Sequence, residues 1–265
     1  MQLRQKDLDY FQRGEAENPR FWSRFDGGMP AMAGKTVADI GCGHGSLCVH
    51  MARAGAGRVV GYDINAKLID FARANLEQNY PNLQPVIEFS MDGLHTSPDN
   101  TFDLVVSKDS FEHVINLDQV LAEIKRCLKP GGRLYAGFGP LWNSPYGDHG
   151  RTQSRIWWGH VFLREADIVE WFNRHHSRTI QSIHDLDLNA MSLADYRRVI
   201  DASGLRIVSF RINASSSWLS RLFSLIRQLP PLEEYFSHNI YCVLEKEPAS
   251  GNHKTQHNQN GKHQP

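Results

Sequence analysis

Asp39, Gly41, Gly43 and Gly45 lie within "VADIGCGHG", where an acid and three alternating glycines sit directly behind a short apolar run. Glycines at such a point let the chain turn tightly and bring backbone N–H groups against a ligand at the start of the next helix. Two phosphate-binding patterns fit poorly. The dinucleotide fingerprint G-x-G-x-x-G needs its third glycine where Ser46 stands, one position beyond Gly45. A Walker loop needs Gly-Lys-Ser/Thr, and no lysine occurs between Val37 and His50. An acid two residues before Gly41 would repel a pyrophosphate and favour a cationic or amine-bearing ligand. Asp63 in "VVGYDI" ends a second apolar run, where a carboxylate can take both ribose hydroxyls. Asp92 in "SMDG" ends a third and could accept from an exocyclic amine. Three carboxylates on successive strand ends describe a nucleoside that carries an amino acid and a positive charge.

These positions need a scaffold that brings strand ends together. From Lys35 to Gly139 the runs "TVADI", "RVVGYDI", "PVIEFSM", "FDLVVS" and "GRLYAGF" alternate with helical patterns, which predicts βαβ units and a parallel sheet. Leu68, Ile69, Ala72 and Leu76 recur at helical spacing after Asn65, a good N-cap. Leu117, Val120, Leu121, Ile124 and Leu128 do the same before "KPGG", where proline and glycine forbid continuation. Further on, "SLADYRRVIDASG" has Ser192 as cap and Gly204 as stop, "LRIVSFRI" and "NIYCVLEKE" read as strands, and "WLSRLFSLIRQL" as an amphipathic helix. Residues 140–190 break this rhythm with Trp, Tyr and His and no clear strand, which predicts an insertion folded over the sheet. Residues 1–34 read as an N-terminal helical cap whose aromatics, Tyr10, Phe11, Phe21, Trp22 and Phe25, need a surface to cover. The main domain is expected over residues 35–247. Residues 248–265, rich in Asn, Gln, His, Lys and Gly, predict a disordered tail, in which His253, His257 and His263 lack a packed scaffold for a metal.

Composition narrows the class. A chain of 265 residues that is 41% hydrophobic can bury one full core. No apolar stretch approaches the roughly 20 residues a membrane helix requires, and the polar start Met1 to Asp9 lacks the layout of a secretory signal, so a cytoplasmic protein is expected. Lys plus Arg and Asp plus Glu balance at 29 each, leaving no overall positive field to collect nucleic acid. Cys42, Cys48, Cys127 and Cys242 show neither a CxxC pair nor regular spacing, so no zinc cluster or disulfide framework is expected.

Thr36 to Phe138, through "VADIGCGHG", "VVGYDIN", "SMDG", "FDLVVSKDSFEHV" and "LKPGGRLYAGF", resembles the class I S-adenosylmethionine-dependent methyltransferases of the small-molecule, type 11-like branch. The resemblance continues more weakly through "SLADYRRVIDASGLRIVSF". It implies an α/β, Rossmann-like three-layer sandwich with a seven-stranded, mostly parallel sheet, an antiparallel last strand and a cap inserted after the fifth strand. It implies S-adenosyl-L-methionine as cofactor. Gly41, Cys42, Gly43 and Gly45 would let the backbone pass close to its methionine part, with Asp39 in the polar network. Asp63 would hold the ribose hydroxyls, Ile64 would pack on adenine, Met91 and Asp92 would frame the adenine edge, and Ser107 would offer its carbonyl to the ammonium. Asp39 and Asp63 could instead cap helix N-termini, and Asp92 could simply start a turn with Gly93.

The activity implied is methyl transfer to a small-molecule acceptor, with oxygen the acceptor atom expected and a lipid-linked or sugar-containing intermediate among the candidates. Two other readings stay open: a non-catalytic cofactor-binding subunit, or an enzyme that uses the same pocket for another reaction. If a general base exists, the insertion should carry it, and the candidates are His149, His160 and Asp148, with the Asp148 carboxylate raising the basicity of its neighbour His149. Glu112 and His113 in "FEHV" are open to a catalytic reading and to a structural one. No metal is expected, because His149, His160, His175, His176 and Asp185 match no ligand spacing. Trp142, Trp157, Trp158, Phe162, Trp171 and Phe172 could line an acceptor site or weld the insertion to the sheet. The apolar stripe Trp218, Leu219, Leu222, Phe223, Leu225, Ile226 and Leu229 is expected to pack on the sheet; a membrane surface or a homodimer partner are the other roles open to it.

Overall fold

The computed structural model describes residues 3–152, 157–214 and 217–248. Most of the predicted tail, with its three histidines, lies outside the described residues. The apolar runs become β1 (Thr36–Ile40), β2 (Arg58–Tyr62), β3 (Ile87–Ser90), β4 (Phe102–Lys108), β5 (Leu128–Phe138), β6 (Arg206–Ile212) and β7 (Ile240–Glu245). They form one sheet in the order β3-β2-β1-β4-β5-β7-β6. β7 runs antiparallel to both β5 and β6, and the other pairings are parallel. This is the seven-stranded, Rossmann-like topology that the resemblance implies.

Around the sheet run α1 (Gln5–Trp22), α2 (Ser46–Arg53), α3 (Ala66–Asn79), α4 (Leu117–Cys127), α5 (Gly159–Phe162), α6 (Glu165–His175), α7 (Leu193–Ala202) and α8 (Trp218–Ile226). Strand side chains alternate between faces, so Val37, Val59, Phe89 and Val106 pack against Phe11, Phe21, Leu47 and Phe71 of α1 to α3. Ala38, Val60, Val105 and Leu134 face the other way, toward Leu117, Leu121 and Ile124 of α4 and Tyr196 and Ile200 of α7. The α3 and α7 starts follow the sequence signals. The Asn65 side chain accepts the Lys67 N–H at 3.1 Å, and Ser192 and Asp195 form a reciprocal capping box.

Two expectations need correction. Helix α4 ends at Cys127, and Leu128 already belongs to β5, paired with Phe102; the Pro-Gly-Gly segment is absorbed by an irregularity in register between Phe102 and Leu104. Helix α8 does not bury its apolar stripe on the sheet. Only Phe223 is buried, against Trp158 and Phe236, while Trp218, Leu222, Leu225 and Leu229 are exposed. The helix sits in the connection between β6 and β7 and meets the insertion through one narrow face.

The inserted segment builds a small core of its own. Phe172, Ile180, Leu186 and Leu188 cluster with Trp142 and Val169. Asn189 ties this unit to the sheet: its amide donates to the Phe111 carbonyl at 2.8 Å and the Val114 carbonyl at 3.1 Å, and its Oδ1 accepts the buried Tyr196 hydroxyl at 3.0 Å.

Candidate functional site

Parallel register decides which residues meet. Ile40 pairs with Tyr62 on one side and Ser107 on the other, and Tyr62 pairs with Ser90. The strands therefore end in line, and the loops that follow gather on one edge. Strand order reverses between β1 and β4, the point where open α/β sheets leave a crevice for ligands. The glycine loop 41–45, Asp63, the pair Met91 and Asp92, and residues 108–113 share that crevice edge.

Each glycine of the loop has a separate reason. Gly41 (φ 74°) lies so close to Ser110 that a Cβ would run into its hydroxyl. Gly45 (φ 82°) would place a Cβ 2.6 Å from the ring of Phe89. Gly43 (φ 53°) would place one in open space, with nothing within 4 Å. The loop thus leaves a bare backbone surface at its tip, a cradle that a side chain would fill. Cys42 is buried, and its N–H and that of Gly41 both donate to the Tyr62 carbonyl, at 3.0 and 2.8 Å.

Asp63 Oδ2 accepts the Gly43 N–H at 2.8 Å, and Oδ1 accepts the Asn65 N–H at 2.9 Å. Both oxygens keep a second lone pair, so the carboxylate is fixed in place and still able to accept two hydroxyls. Beside it Ile64 is 94% exposed, and Met91 is also exposed. An apolar side chain held that far into solvent at a strand end is a ready platform for a flat ring. Asp92 forms a local turn in which its N–H donates to Ser90 Oγ and its carboxylate accepts from the same hydroxyl, both at 3.1 Å.

Asp39 and Ser107 lie deeper. Ser107 is buried and donates to the Ile40 carbonyl at 3.0 Å, locking β4 to β1. Asp39 is buried and accepts from the Cys48 thiol at 3.2 Å. Burial raises its pKa to about 7, against opposing help from Cys48 and the Lys108 ammonium.

Several residues at this edge were not singled out in the sequence. Asn18 on α1, fully buried, donates to the Ser46 carbonyl at 3.1 Å and accepts from Lys108 Nζ at 3.2 Å, so α1 clamps the start of α2 to the end of β4. His44 packs between the rings of Tyr10 and Phe71 and lies 3.5 Å from Asp7. The only local mark of this clamp in the sequence is a lysine at the end of an apolar strand, Lys108.

The predicted base candidates are placed differently from one another. His160 is buried, with Nε2 on the Trp142 carbonyl at 2.6 Å and Nδ1 3.9 Å from Asp148. Asp148 is buried too; its carboxylate accepts from the Gly150 N–H at 3.2 Å and from the Thr152 hydroxyl. Asp148 does act to raise the basicity of His149, as expected, but it is outweighed. Burial, with His113 beside it, lowers the His149 pKa to about 4. His149 Nε2 meets the Pro140 carbonyl at 3.1 Å. His175 and His176 stack on Trp171 and Phe172, and Asp185 is occupied by the N–H groups of Gln181 and Ser182. The structure instead brings Glu112, His113 and His149 together.

A cavity of about 300 Å³ opens between the insertion, α8 and the end of α1. Tyr146, Trp157, Leu219 and Phe223 supply apolar wall, and Arg24 and His238 the polar corner. Of the insertion aromatics, Trp157 lines this cavity, Trp142 and Phe172 join the insertion's own core, Trp158 donates to the Tyr235 carbonyl at 3.0 Å, and Phe162 is exposed.

Residues 38–136 match the family model described as a methyltransferase domain. This marks residues 38–136 as a methyltransferase domain, set in a seven-stranded sheet of the Rossmann-like methyltransferase topology. The chain is 32% identical over 133 residues to 27-O-demethylrifamycin SV methyltransferase of Amycolatopsis mediterranei, covering 50% of this chain and 49% of that one. It is 37% identical over 115 residues to a ubiquinone biosynthesis O-methyltransferase of Albidiferax ferrireducens, covering 43% and 44%. The chain therefore spans less than half the length of these relatives. A solved S-adenosylmethionine-dependent methyltransferase from Mesorhizobium loti shares the fold, with a TM-score of 0.54 at 18% identity over 87% of this chain and 97% of that one.

Proposed function

We propose that this chain transfers a methyl group from S-adenosylmethionine to an oxygen of a small, largely apolar acceptor. The single observation that carries the reading is the Asp63 carboxylate, held by the Gly43 N–H at 2.8 Å across the mouth of a bare glycine loop. The residues present fit the cofactor. Asp63 takes the ribose hydroxyls, Ile64 and Met91 flank the adenine ring, and Asp92 lies at its edge. Gly41, Cys42, Gly43 and Gly45 pass the methionine part, Ser107 offers its carbonyl to the ammonium, and Asp39 adds a buried acid near that charge. The cofactor, when bound, supplies a methyl group on a sulfonium, open to in-line displacement.

The protein's part in such a displacement is alignment and exclusion of water. Alignment can contribute roughly 7 to 11 kcal/mol at its best. A general base adds about 10² to 10⁴-fold, and only when the acceptor has a proton to lose. In this reading residues 1–34 cap the cofactor side, residues 35–247 form the transferase unit, and residues 140–190 close over the acceptor. The cavity walled by Tyr146, Trp157, Leu219 and Phe223 takes the acceptor's apolar body, and Arg24 orients an oxygen-rich group. His160 and Asp148 brace the insertion from inside. The names of the two relatives support oxygen as acceptor atom, and the balanced charge supports a small molecule over nucleic acid. A cytoplasmic setting belongs to this reading; no helix among the described residues is long and apolar enough to cross a membrane.

The test is turnover of the full chain with S-adenosylmethionine and a panel of phenols, quinols and hydroxylated macrocycles, read by mass spectrometry of both products. Formation of S-adenosylhomocysteine with a methyl ether on the acceptor supports the reading. Cofactor binding with no product across the panel supports a non-catalytic subunit, and a changed acceptor with no methyl gained supports another reaction in the same pocket.

A further inference from the structure

Glu112 and His113 lie on a short 3₁₀ turn, Phe111–His113, that follows Ser110 at the glycine loop. His149 reaches the same place from the insertion. One donor atom from each of the three side chains lies within 4.8 Å of the others. We propose that Glu112, His113 and His149 form a binding site for a divalent transition-metal ion.

The arrangement of hydrogen bonds points to a ligand. Glu112 is 4% exposed; its Oε1 accepts the Gly139 N–H at 3.2 Å, and its Oε2 is buried without a hydrogen-bond partner. A buried, half-satisfied carboxyl is costly in a native fold unless something else engages it. The two imidazoles supply what is missing. His113 Nδ1 lies 2.6 Å from the Asp187 carbonyl, and His149 Nε2 lies 3.1 Å from the Pro140 carbonyl. A carbonyl can only accept, so each ring donates one N–H there and leaves a lone pair on its other nitrogen. Metal-binding histidines are held in this manner, with the second nitrogen on a backbone carbonyl or carboxylate. The rings sit 5.0 Å apart at 62°, edge to face and not stacked.

Two imidazoles and one carboxylate suit zinc, iron or cobalt better than magnesium or calcium, which take oxygen ligands. Bonds of about 2.0 to 2.2 Å require the donors to close on one another by side-chain rotation. The Arg151 guanidinium acts on all three groups through its charge and is engaged by the Leu186 and Asp187 carbonyls and by the Asp187 carboxylate at 3.6 Å. Glu112 and His149 line a narrow crevice together with Pro140, Trp142 and Leu188.

The test uses the full chain with His253→Ala, His257→Ala and His263→Ala, so that the tail cannot respond, stripped with EDTA and titrated with Co²⁺. The expected result is a saturable visible absorption at one equivalent per chain, displaced by Zn²⁺. His149→Ala and Glu112→Gln should each weaken it by at least about tenfold. Glu112→Gln preserves the shape and the Gly139 contact, so its circular dichroism and cofactor affinity should stay as in the parent. No saturable absorption in the parent, or the same titration in both variants, overturns the proposal.

Discussion

The Gly43 N–H donates to Asp63 Oδ2 at 2.8 Å, joining the tip of the loop after β1 to the end of β2. This one bond couples two halves of the proposed cofactor site. The carboxylate that would hold a ribose is positioned by the loop that would pass the amino acid, so neither half can shift alone.

Gly43 and Gly45 should therefore respond differently to alanine. Both have positive φ, but a Cβ at Gly45 meets the buried ring of Phe89 at 2.6 Å whereas one at Gly43 meets nothing. Gly45→Ala is expected to destabilise the fold by about 2 to 4 kcal/mol, adding overpacking to left-handed strain. Gly43→Ala should cost about 1 to 2 kcal/mol yet abolish most cofactor binding, because its methyl enters the open face of the loop. Urea unfolding and calorimetric titration of the two variants check the contrast.

Asp39 makes stability depend on pH. Burial raises its pKa from 3.8 to about 7, so between these values the folded state holds a proton that the unfolded state has lost. Asp39 thus lowers stability progressively as pH rises from about 4 to 7, at on the order of 1 kcal/mol per pH unit. Asp39→Asn should remove that slope from the ligand-free chain, leaving little difference at pH 4 and a more stable variant at pH 7. Unfolding curves across that range measure it, and parallel slopes for both proteins would contradict the assignment.

Asn18 carries the clamp between α1 and the crevice. Its removal leaves the Ser46 carbonyl and Lys108 ammonium without their buried partner. Asn18→Ala should cost about 1 to 3 kcal/mol and weaken cofactor binding severalfold, with hydrogen exchange rising in α1 before it rises in β1 or β4. Uniform exchange along the chain would show that the helix does not act as a separate clamp.

The strand ends were legible in the sequence because period-two apolar runs, glycine and acids are local signals. "VADIGCGHG" and "VVGYDIN" carry their signals within ten residues, and the sheet brings Gly43 within hydrogen-bond distance of Asp63. What stayed hidden depends on contacts between distant segments. Asn18 meets Lys108 across 90 positions, and nothing in "ENPRFW" marks that asparagine. Glu112 and His113 were visible as a pair with two readings, but His149 joins them only because the chain turns back after β5 at Gly139 and Pro140. Asp148 acts on His149 in the expected direction, but burial and His113, which the sequence does not show, decide the net shift. The α8 stripe misled because an amphipathic pattern specifies an apolar face without specifying what covers it.

The most direct measurement is calorimetric titration of the full chain with S-adenosylmethionine and S-adenosylhomocysteine, beside Asp63→Ala. The account predicts micromolar, one-to-one binding of both by the parent and at least about a tenfold loss in the variant, since charge-assisted hydrogen bonds to hydroxyls contribute about 1.5 to 3 kcal/mol. Equal affinity in parent and Asp63→Ala, or no binding by the parent, would contradict the placement of the cofactor on which the account rests.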